Sequence, residues 1–370
     1  MGADTPESMA RDPEPQRAAP ARGEGATMKA VVKYAAGRGM IRLMDVPEPV
    51  LRSGHVVVEV EAAGICGTDL HIEAGEYPAS PPVILGHEFS GVVADCAPDV
   101  ASVRPGQRVT CLPYFSTCDV CEYCRTGQWN LCAGRRSAGS GAHGAFARYV
   151  LMPERSVRVL PDDVDFVGGA MSEPLACCAH AVLEKACIRA GDLVVVLGPG
   201  SIGLLAAQVA RACGGVVVVV GTRGDEARLA LAMELGARHT ADVDSESAAD
   251  LVKELSAGRG ADVVLECSGS AEAARLGCEL VKRRGRYVQI GLFGRRIELD
   301  WDLMVVREVD VATSFASTWQ SWEHAMRLLR QGMVRTRPLV TDVLPLERWE
   351  EGFARSRTRQ GIKVALSPKS

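Results

Sequence analysis

Two patterns of hydrophobic and polar positions divide the chain. Up to about residue 165, short apolar runs alternate with Gly, Pro and Asp, a pattern typical of strands joined by turns. Strands are predicted in this part at residues 30–34, 55–62, 91–94, 108–111 and 145–152. The first part of the chain is therefore expected to form an irregular, mostly β unit.

From about residue 174 the pattern changes to Val-rich runs separated by helical stretches. The predicted strands are residues 193–197, 216–220, 262–266 and 287–290. The predicted helices are residues 175–185, 202–213, 225–235, 271–283 and 319–331, and a last strand follows at 363–366. Glycines near the helix ends fit helix termination. Val-rich strands with helical crossovers form a parallel, doubly wound sheet, so the predicted fold class is α/β.

The first 27 residues differ from the rest. They are rich in Pro, Ala, Arg and Glu and lack apolar periodicity. Such a segment cannot bury enough surface to offset the entropy of ordering it, so a disordered tail is predicted. The segment lacks the apolar central region that a secretory signal would have. The tail is either a native extension or a consequence of the choice of start codon.

Composition narrows the class of protein. The chain has 370 residues, enough for about two domains, with 47% hydrophobic and 24% charged residues. A formal net charge of −4 gives no basic surface for nucleic acid. No apolar run is expected to span a membrane. Of the thirteen cysteines, four share one motif and the rest lie in apolar segments, which indicates free thiols and a cytoplasmic location.

The four clustered cysteines have the spacing C-x2-C-x2-C-x7-C, at Cys118, Cys121, Cys124 and Cys132. Four thiolates this close can surround one tetrahedral Zn²⁺, and a closed site of this kind is structural. The same spacing would suit a zinc-ribbon module that binds nucleic acid. The absence of a basic patch argues against that alternative.

A glycine-rich turn follows the strand at 193–197. It reads Gly198-Pro199-Gly200-Ser201-Ile202-Gly203. In a dinucleotide site, the first two glycines let the backbone approach the pyrophosphate at the helix N-terminus, and the third lets the helix pack on its strand. The carboxyl ends of later strands are predicted to face the ribose and nicotinamide, at Cys267, Ser268, Gly291 and Leu292.

The end of the second strand bears on the choice of cofactor. An NAD site usually has an acid here for the ribose 2′-hydroxyl, but this chain has Thr222 and Arg223. A hydroxyl and a guanidinium suit a 2′-phosphate, which favours NADP(H) over NAD(H). The nearby Asp225 and Glu226 are interpreted as capping the next helix.

Together these motifs resemble those of the zinc-dependent medium-chain dehydrogenases, in the branch of polyol (sorbitol) and threonine dehydrogenases. The resemblance also rests on the segments Gly64–His71, Gly86–Gly91, Ser172–Ala176 and Gly361–Leu366. It implies a GroES-like catalytic domain at 28–174 and 317–370, with a Rossmann domain inserted at 175–316. It further implies a homodimer or homotetramer, and a place for Lys363 near the cofactor phosphates.

A second, catalytic zinc is predicted from Cys66, His87 and Glu88, which supply sulfur, imidazole and carboxylate. Asp69 is expected to accept the imidazole N–H of a ligand. The resemblance adds Glu173, which stands where the alcohol-oxidising branch has a cysteine ligand. Cys177 and Cys178 are competing ligands, and whether Glu88 or Glu173 binds the metal directly is left open.

The expected reaction is hydride transfer between a secondary alcohol (a polyol, sugar or amino alcohol) and the nicotinamide. Zinc lowers the pKa of the alcohol, and Thr68 and His71 are predicted to pass its proton to solvent. Two alternatives stay open: a threonine-type amino-acid dehydrogenase, and a zinc-free reductase of quinones or enoyl groups.

Overall fold

The computed structural model describes residues 25–369. Residues 1–24 of the predicted tail lie outside the described residues. Thr27, the last residue of the predicted tail, belongs to the first strand.

The first unit is mostly β, as the sequence predicts. Its central sheet has the order β10-β6-β5-β3-β18-β17, with β9 also paired to β3, and β17 (Val340–Pro345) and β18 (Lys363–Ser367) come from the end of the chain. Two smaller sheets are β2-β1-β4 and β7-β8. The strands of this unit are β1 (Thr27–Lys33), β2 (Ile41–Pro47), β3 (His55–Gly64), β4 (Val83–Ile84), β5 (Glu88–Cys96), β6 (Arg108–Cys111), β7 (Tyr114–Ser116), β8 (Arg136–Ser137), β9 (Tyr149–Pro153) and β10 (Val157–Val159). Its helices are α1 (Gly67–Ala74), α2 (Glu122–Arg125) and α3 (Phe166–Gly169).

The second unit is a doubly wound sheet of six strands in the order β13-β12-β11-β14-β15-β16. Every neighbouring pair is parallel, which confirms the predicted class. The strands are β11 (Leu193–Leu197), β12 (Val216–Gly221), β13 (His239–Asp242), β14 (Ala261–Glu266), β15 (Val281–Gln289) and β16 (Asp310–Thr313). The helices are α4 (Ser172–Ala179), α5 (Ser201–Ala212), α6 (Glu226–Glu234), α7 (Ala248–Leu255), α8 (Ala271–Leu280) and α9 (Trp301–Val306).

The end of the chain returns to the first sheet. It contains α10 (Trp319–Arg330), β17 (Val340–Pro345), α11 (Trp349–Arg357) and β18 (Lys363–Ser367). Strand β18 pairs with β3 through Ala365 and Gly64. The doubly wound sheet is thus inserted between two segments that share one sheet, and the cleft between the two units contains the site.

Several predicted boundaries were wrong. The helix predicted at 271–283 ends at Leu280, because Val281 has extended backbone and pairs with Ala261. The strand predicted at 145–152 begins only at Tyr149. The helix predicted at 175–185 begins at Ser172 and continues as a π-helix over His180–Ala186, so the predicted domain limit after residue 174 falls inside a helix.

Burial explains the continuous apolar runs. Val194, Val195 and Val196 are all 0% exposed, because a parallel strand between two helical layers buries both of its faces. One described stretch, Phe166–Ala186, is long and apolar enough by length and composition to cross a membrane, which the sequence prediction missed. Most of it (78%) is buried inside the protein, as in the core helix of a folded domain.

Candidate active site

Cys66 stands where β3 turns into α1. It is the N-cap residue of α1, and the Asp69 side chain accepts a hydrogen bond from its backbone N–H at 2.9 Å. Asp69 is wholly buried and its other oxygen lies 3.4 Å from the Gly86 nitrogen. This carboxylate therefore holds together the two segments that carry the predicted metal ligands.

The cysteine, histidine and glutamate predicted for the catalytic metal do meet. One ligand atom from each of Cys66, His87 and Glu88 lies within 4.8 Å of the others. The His87 Nδ1 is 3.8 Å from Asp69, too long for a hydrogen bond in this arrangement. Burial opposes protonation of His87, but Cys66 and Asp69 hold its pKa well above the usual range. The cluster thus combines three metal-ligand atoms with neighbouring groups that favour a positive charge, which suits a cation.

Lys363 makes a contact that the sequence did not indicate. Its ammonium donates to both Glu88 oxygens, at 2.7 and 2.9 Å, and to the Ile65 carbonyl at 3.1 Å. Burial alone would lower the pKa of Lys363, but the adjacent Glu88 raises it above the ordinary value. Lys363 also lines the cavity between the two units. Its hydrogen bonds, however, go to Glu88 and Ile65 and not to a position for a phosphate.

Glu173 lies beside this cluster, in the first turn of α4. Burial raises its pKa to about 7, with Glu88 adding to the shift and His87 opposing it. Its carboxylate is not among the atoms that meet within 4.8 Å, and its Oε1 accepts from the Cys177 thiol at 3.6 Å. The placement favours Glu88 over Glu173 as the closer ligand.

The surroundings of the two competing cysteines oppose their ionisation. Burial raises the pKa of both Cys177 and Cys178 above the usual range. The Cys178 sulfur donates to the Ile202 carbonyl at 3.3 Å. Because the thiolate is the form that binds metal, these surroundings disfavour either residue as a ligand.

The two predicted proton-transfer residues lie on α1. The Thr68 hydroxyl is 3.7 Å from the Cys66 sulfur. The His71 side chain is 46% exposed, and its Nδ1 lies 2.8 Å from a Glu76 oxygen. The residues are thus arranged from the cluster outward to solvent.

The four-cysteine segment forms the second ligand set. One sulfur from each of its cysteines lies within 4.8 Å of the others, and the Cys121–Cys124 distance is 3.5 Å. Backbone N–H groups of Val120 and Cys121 lower the pKa of Cys118 to about 6. Burial and the neighbouring sulfurs raise that of Cys124 to about 12. Four thiols that compete for charge in this way are stabilised together by a bound cation.

A cavity of about 740 Å³ lies between the two units. Seven of the twelve predicted cofactor residues line it, namely Gly198, Gly200, Ser201, Thr222, Cys267, Ser268 and Lys363. Five do not, namely Ile202, Gly203, Arg223, Gly291 and Leu292. The cavity also reaches Cys66, so it connects the glycine turn with the candidate metal cluster.

The glycine turn explains why Gly203 lies off the cavity. A Cβ at Gly203 would stand 1.9 Å from the Gly198 oxygen, so only glycine lets α5 approach its strand this closely. A Cβ at Gly200 would meet nothing within 4 Å, which leaves space for a ligand at the start of α5. The turn and helix therefore fit a pyrophosphate.

Two residues after β12 have contacts that sequence reasoning did not predict. Asp225 is the N-cap residue of α6, as interpreted, but its side chain makes no capping hydrogen bond to that helix. Instead it accepts from the Thr222 backbone and hydroxyl at 3.1 and 3.0 Å and from Arg228 at 3.2 Å. Arg228 also donates to the Arg359 and Gly361 carbonyls across the cleft. A lone arginine on a helix gives no sequence signal for this role.

A doubly wound sheet with a glycine turn, and a cavity that reaches Cys66 of a cysteine, histidine and glutamate cluster, are typical of a metal-dependent dehydrogenase class. Comparison with known protein families gives two matches. The family described as alcohol dehydrogenase GroES-like domain matches residues 52–162, and that described as zinc-binding dehydrogenase matches residues 201–331. The chain therefore belongs to the zinc-binding dehydrogenases of the medium-chain type.

Relatives extend over almost the whole chain. A sorbitol dehydrogenase of Halalkalibacterium halodurans is 41% identical over 92% of this chain and 99% of its own length. An L-threonine 3-dehydrogenase of Bacillus velezensis is 35% identical over 93% and 100%. A structure from Sinorhizobium meliloti, described as a zinc-binding dehydrogenase bound to NADP, has a TM-score of 0.84 and 34% identity over 93% and 100%. The predicted polyol and threonine branch is confirmed.

Proposed function

We propose that this protein is a zinc- and nicotinamide-dependent dehydrogenase of secondary alcohols, with polyols as the preferred substrate class. The observation that carries the proposal is the meeting of Cys66, His87 and Glu88, because Cys66 lines the same cavity as the glycine turn. A metal held by this cluster would then lie beside the cavity that would hold the nicotinamide. The zinc-free reductase alternative has no use for such a donor set.

Two zinc ions per chain are part of the proposal. Cys66 and His87, with Glu88 or Glu173, would hold the catalytic ion, and the four-cysteine segment would hold a structural one. Bound zinc supplies Lewis-acid polarisation of the alcohol oxygen, and the nicotinamide accepts the hydride. Side chains of this protein would orient the substrate, transfer its proton and balance the charge of the site.

Each of those side chains has a task that its surroundings support. Thr68 orients the substrate hydroxyl, and His71 carries the proton on to solvent. Glu173, with its pKa near 7, can hold a proton inside the buried site. Lys363 compensates the charge of Glu88, which is 2% exposed, so this carboxylate can stay beside the metal site.

A screen of substrates tests the assignment. Polyols, sugars and amino alcohols, including threonine, are offered with NAD⁺ and with NADP⁺, and reduced cofactor is followed by absorbance. Turnover of a polyol that stops on chelation and returns with zinc supports the proposal. Turnover of threonine above all polyols would favour the amino-acid alternative, and reduction of quinones by zinc-free protein would contradict the proposal.

We also propose a preference for NADP(H). Thr222 and Arg223 are exposed just after β12, and the Arg223 guanidinium makes no hydrogen bond or ion pair with another described residue. Two carboxylates nearby are already engaged: Asp225 by Thr222 and Arg228, and Asp244 by the Arg223 backbone nitrogen at 2.8 Å. A free cation beside an occupied acid favours a 2′-phosphate over a bare 2′-hydroxyl.

Arg223→Ala is expected to raise the KM for NADP⁺ by roughly ten- to a hundredfold, because a charge-assisted contact is worth about 1.5–3 kcal/mol. The KM for NAD⁺ should change little. Steady-state kinetics with both cofactors measure the difference, and Arg238→Ala, an exposed arginine between α6 and β13, is the matched control. Equal changes for both cofactors, or none, would contradict the NADP(H) assignment.

The assembly is proposed to be a homodimer or homotetramer. Strand β16 is the edge of its sheet. The helix before it exposes Trp301, Val305 and Val306 at 54%, 61% and 65%, and Phe315 after it is 40% exposed. An open edge beside exposed apolar residues is typical of an interface. Thirteen free cysteines support the proposed cytoplasmic location.

Val305→Glu is expected to shift the assembly towards a smaller species, because a charge in an apolar interface is left unpaired. Sedimentation velocity measures the change. Val50→Glu is the control, since Val50 is 83% exposed on the other unit. An unchanged sedimentation coefficient for Val305→Glu would place the interface elsewhere.

A further inference from the structure

Glu266 is a buried acid that neither the motifs nor the mechanism above uses. It is the last residue of β14 and is 0% exposed. It forms no ion pair with any residue in the described part of the chain. A buried carboxylate without a cation is costly unless hydrogen bonds satisfy it.

Its side chain is satisfied by the loop that follows the strand. The carboxylate accepts from the backbone nitrogens of Ser268 and Gly269, at 2.9 and 3.1 Å, and from the Ser268 hydroxyl. A fourth donor is the Gln289 side-chain amide, at 2.5 Å. All four partners are hydrogen-bond donors, so they satisfy the acceptor oxygens of the carboxylate.

The same residue also fixes a second loop. Its carbonyl oxygen accepts from the nitrogens of Ile290 and Gly291, both at 2.9 Å. The Gln289 amide that reaches the Glu266 carboxylate donates to the Gly291 carbonyl as well, at 2.7 Å. Glu266 therefore joins the loops after β14 and β15 at the carboxyl edge of the sheet.

The loop after β14 forms a wall of the cofactor cavity through Cys267, Ser268, Gly269 and Ser270. It has no spare room, because a Cβ at Gly198 would stand 2.7 Å from the Ser268 Cβ. We infer that Glu266 is a positioning residue for the nicotinamide cofactor, which holds the 267–270 loop against the glycine turn. This inference rests on the proposed use of a nicotinamide cofactor.

Glu266→Gln is the direct test. The substitution keeps the size of the side chain but turns one acceptor oxygen into a donor that faces other donors. The dissociation constant for NADPH, measured by fluorescence titration of the zinc-loaded protein, is expected to rise by about tenfold or more. Glu279→Gln, an exposed acid at the far end of α8, is the control and should bind as the wild type does.

Destabilisation alone does not raise the apparent dissociation constant as long as the variant stays almost wholly folded, which its circular dichroism at the assay temperature checks. A folded Glu266→Gln variant that binds NADPH within about twofold of the wild type would overturn the inference. If that variant does not fold, Gln289→Met decides, since it deletes one donor to Glu266 from outside the cavity wall. A larger dissociation constant for NADPH in Gln289→Met supports the inference, and an unchanged dissociation constant overturns it. A wild-type protein that binds neither NADPH nor NADH would overturn the proposed function as well.

Discussion

The Cys66→Ser variant is expected to lose at least about a thousandfold in kcat/KM for alcohol oxidation, since Lewis-acid catalysis contributes several kcal/mol and each ~1.4 kcal/mol is tenfold. Serine does not provide the thiolate that, with His87 and Glu88, makes up the ligand cluster. The fold should survive, because the Asp69 side chain can still accept from the backbone N–H at this position. Steady-state kinetics and metal analysis of the same sample measure both effects.

Metal analysis makes the test of Cys66→Ser selective. The zinc content should fall from about two to about one per chain, because the four-cysteine site is separate. Cys213→Ser, at the end of α5 and outside the cavity lining, is the matched control and should keep both activity and zinc. A variant at Cys66 that keeps full activity would remove the basis of the proposed mechanism.

The Cys121→Ser variant is expected to act on stability instead. A structural zinc site contributes about 10–16 kcal/mol in small domains, so loss of one of four ligands is expected to cost roughly 3 kcal/mol. For a chain of 370 residues that lowers Tm by roughly 4 °C. Differential scanning calorimetry of zinc-loaded protein measures the shift.

The four-cysteine segment contacts the rest of the protein, so loss of its metal should destabilise residues beyond the segment. The Trp319 backbone nitrogen donates to the Gly127 carbonyl at 3.3 Å, and the Trp129 and Trp319 rings meet edge to face. Cys187→Ser, an exposed cysteine outside the segment, is the control and should leave Tm unchanged. A Tm for Cys121→Ser equal to that of the control would mean that this segment carries no metal.

The local motifs were predictable because their chemistry depends on short spacings. The cysteines of the proposed structural site lie within fifteen residues, and their sulfurs lie within 4.8 Å of one another. The glycine turn follows its strand directly, so strand, turn and helix could be identified together. Boundaries were less certain where pairing partners decide them, as at Val281, which leaves its helix to pair with β14.

The charges of the site depend on residues that are far apart in the sequence. Lys363 reaches Glu88 across 275 positions, and no local pattern indicates such a pair. Asp225 looked like a helix cap because of its position, but the side chain turns back to Thr222 and across to Arg228. Side-chain direction at a strand end is set by neighbouring loops, and this information is absent from a single segment.

The sequence by itself determined the fold class, the two ligand sets and the dinucleotide turn, because hydrophobic period, ligand spacing and glycine position act over short distances. Only the tertiary structure decided which acids stand next to which cations. It paired Glu88 with Lys363, left Glu173 buried beside the cluster, and surrounded Glu266 with donors from two loops. These pairings follow from the return of β18 to the first sheet and from the order of the parallel strands, which bring remote segments to one cleft.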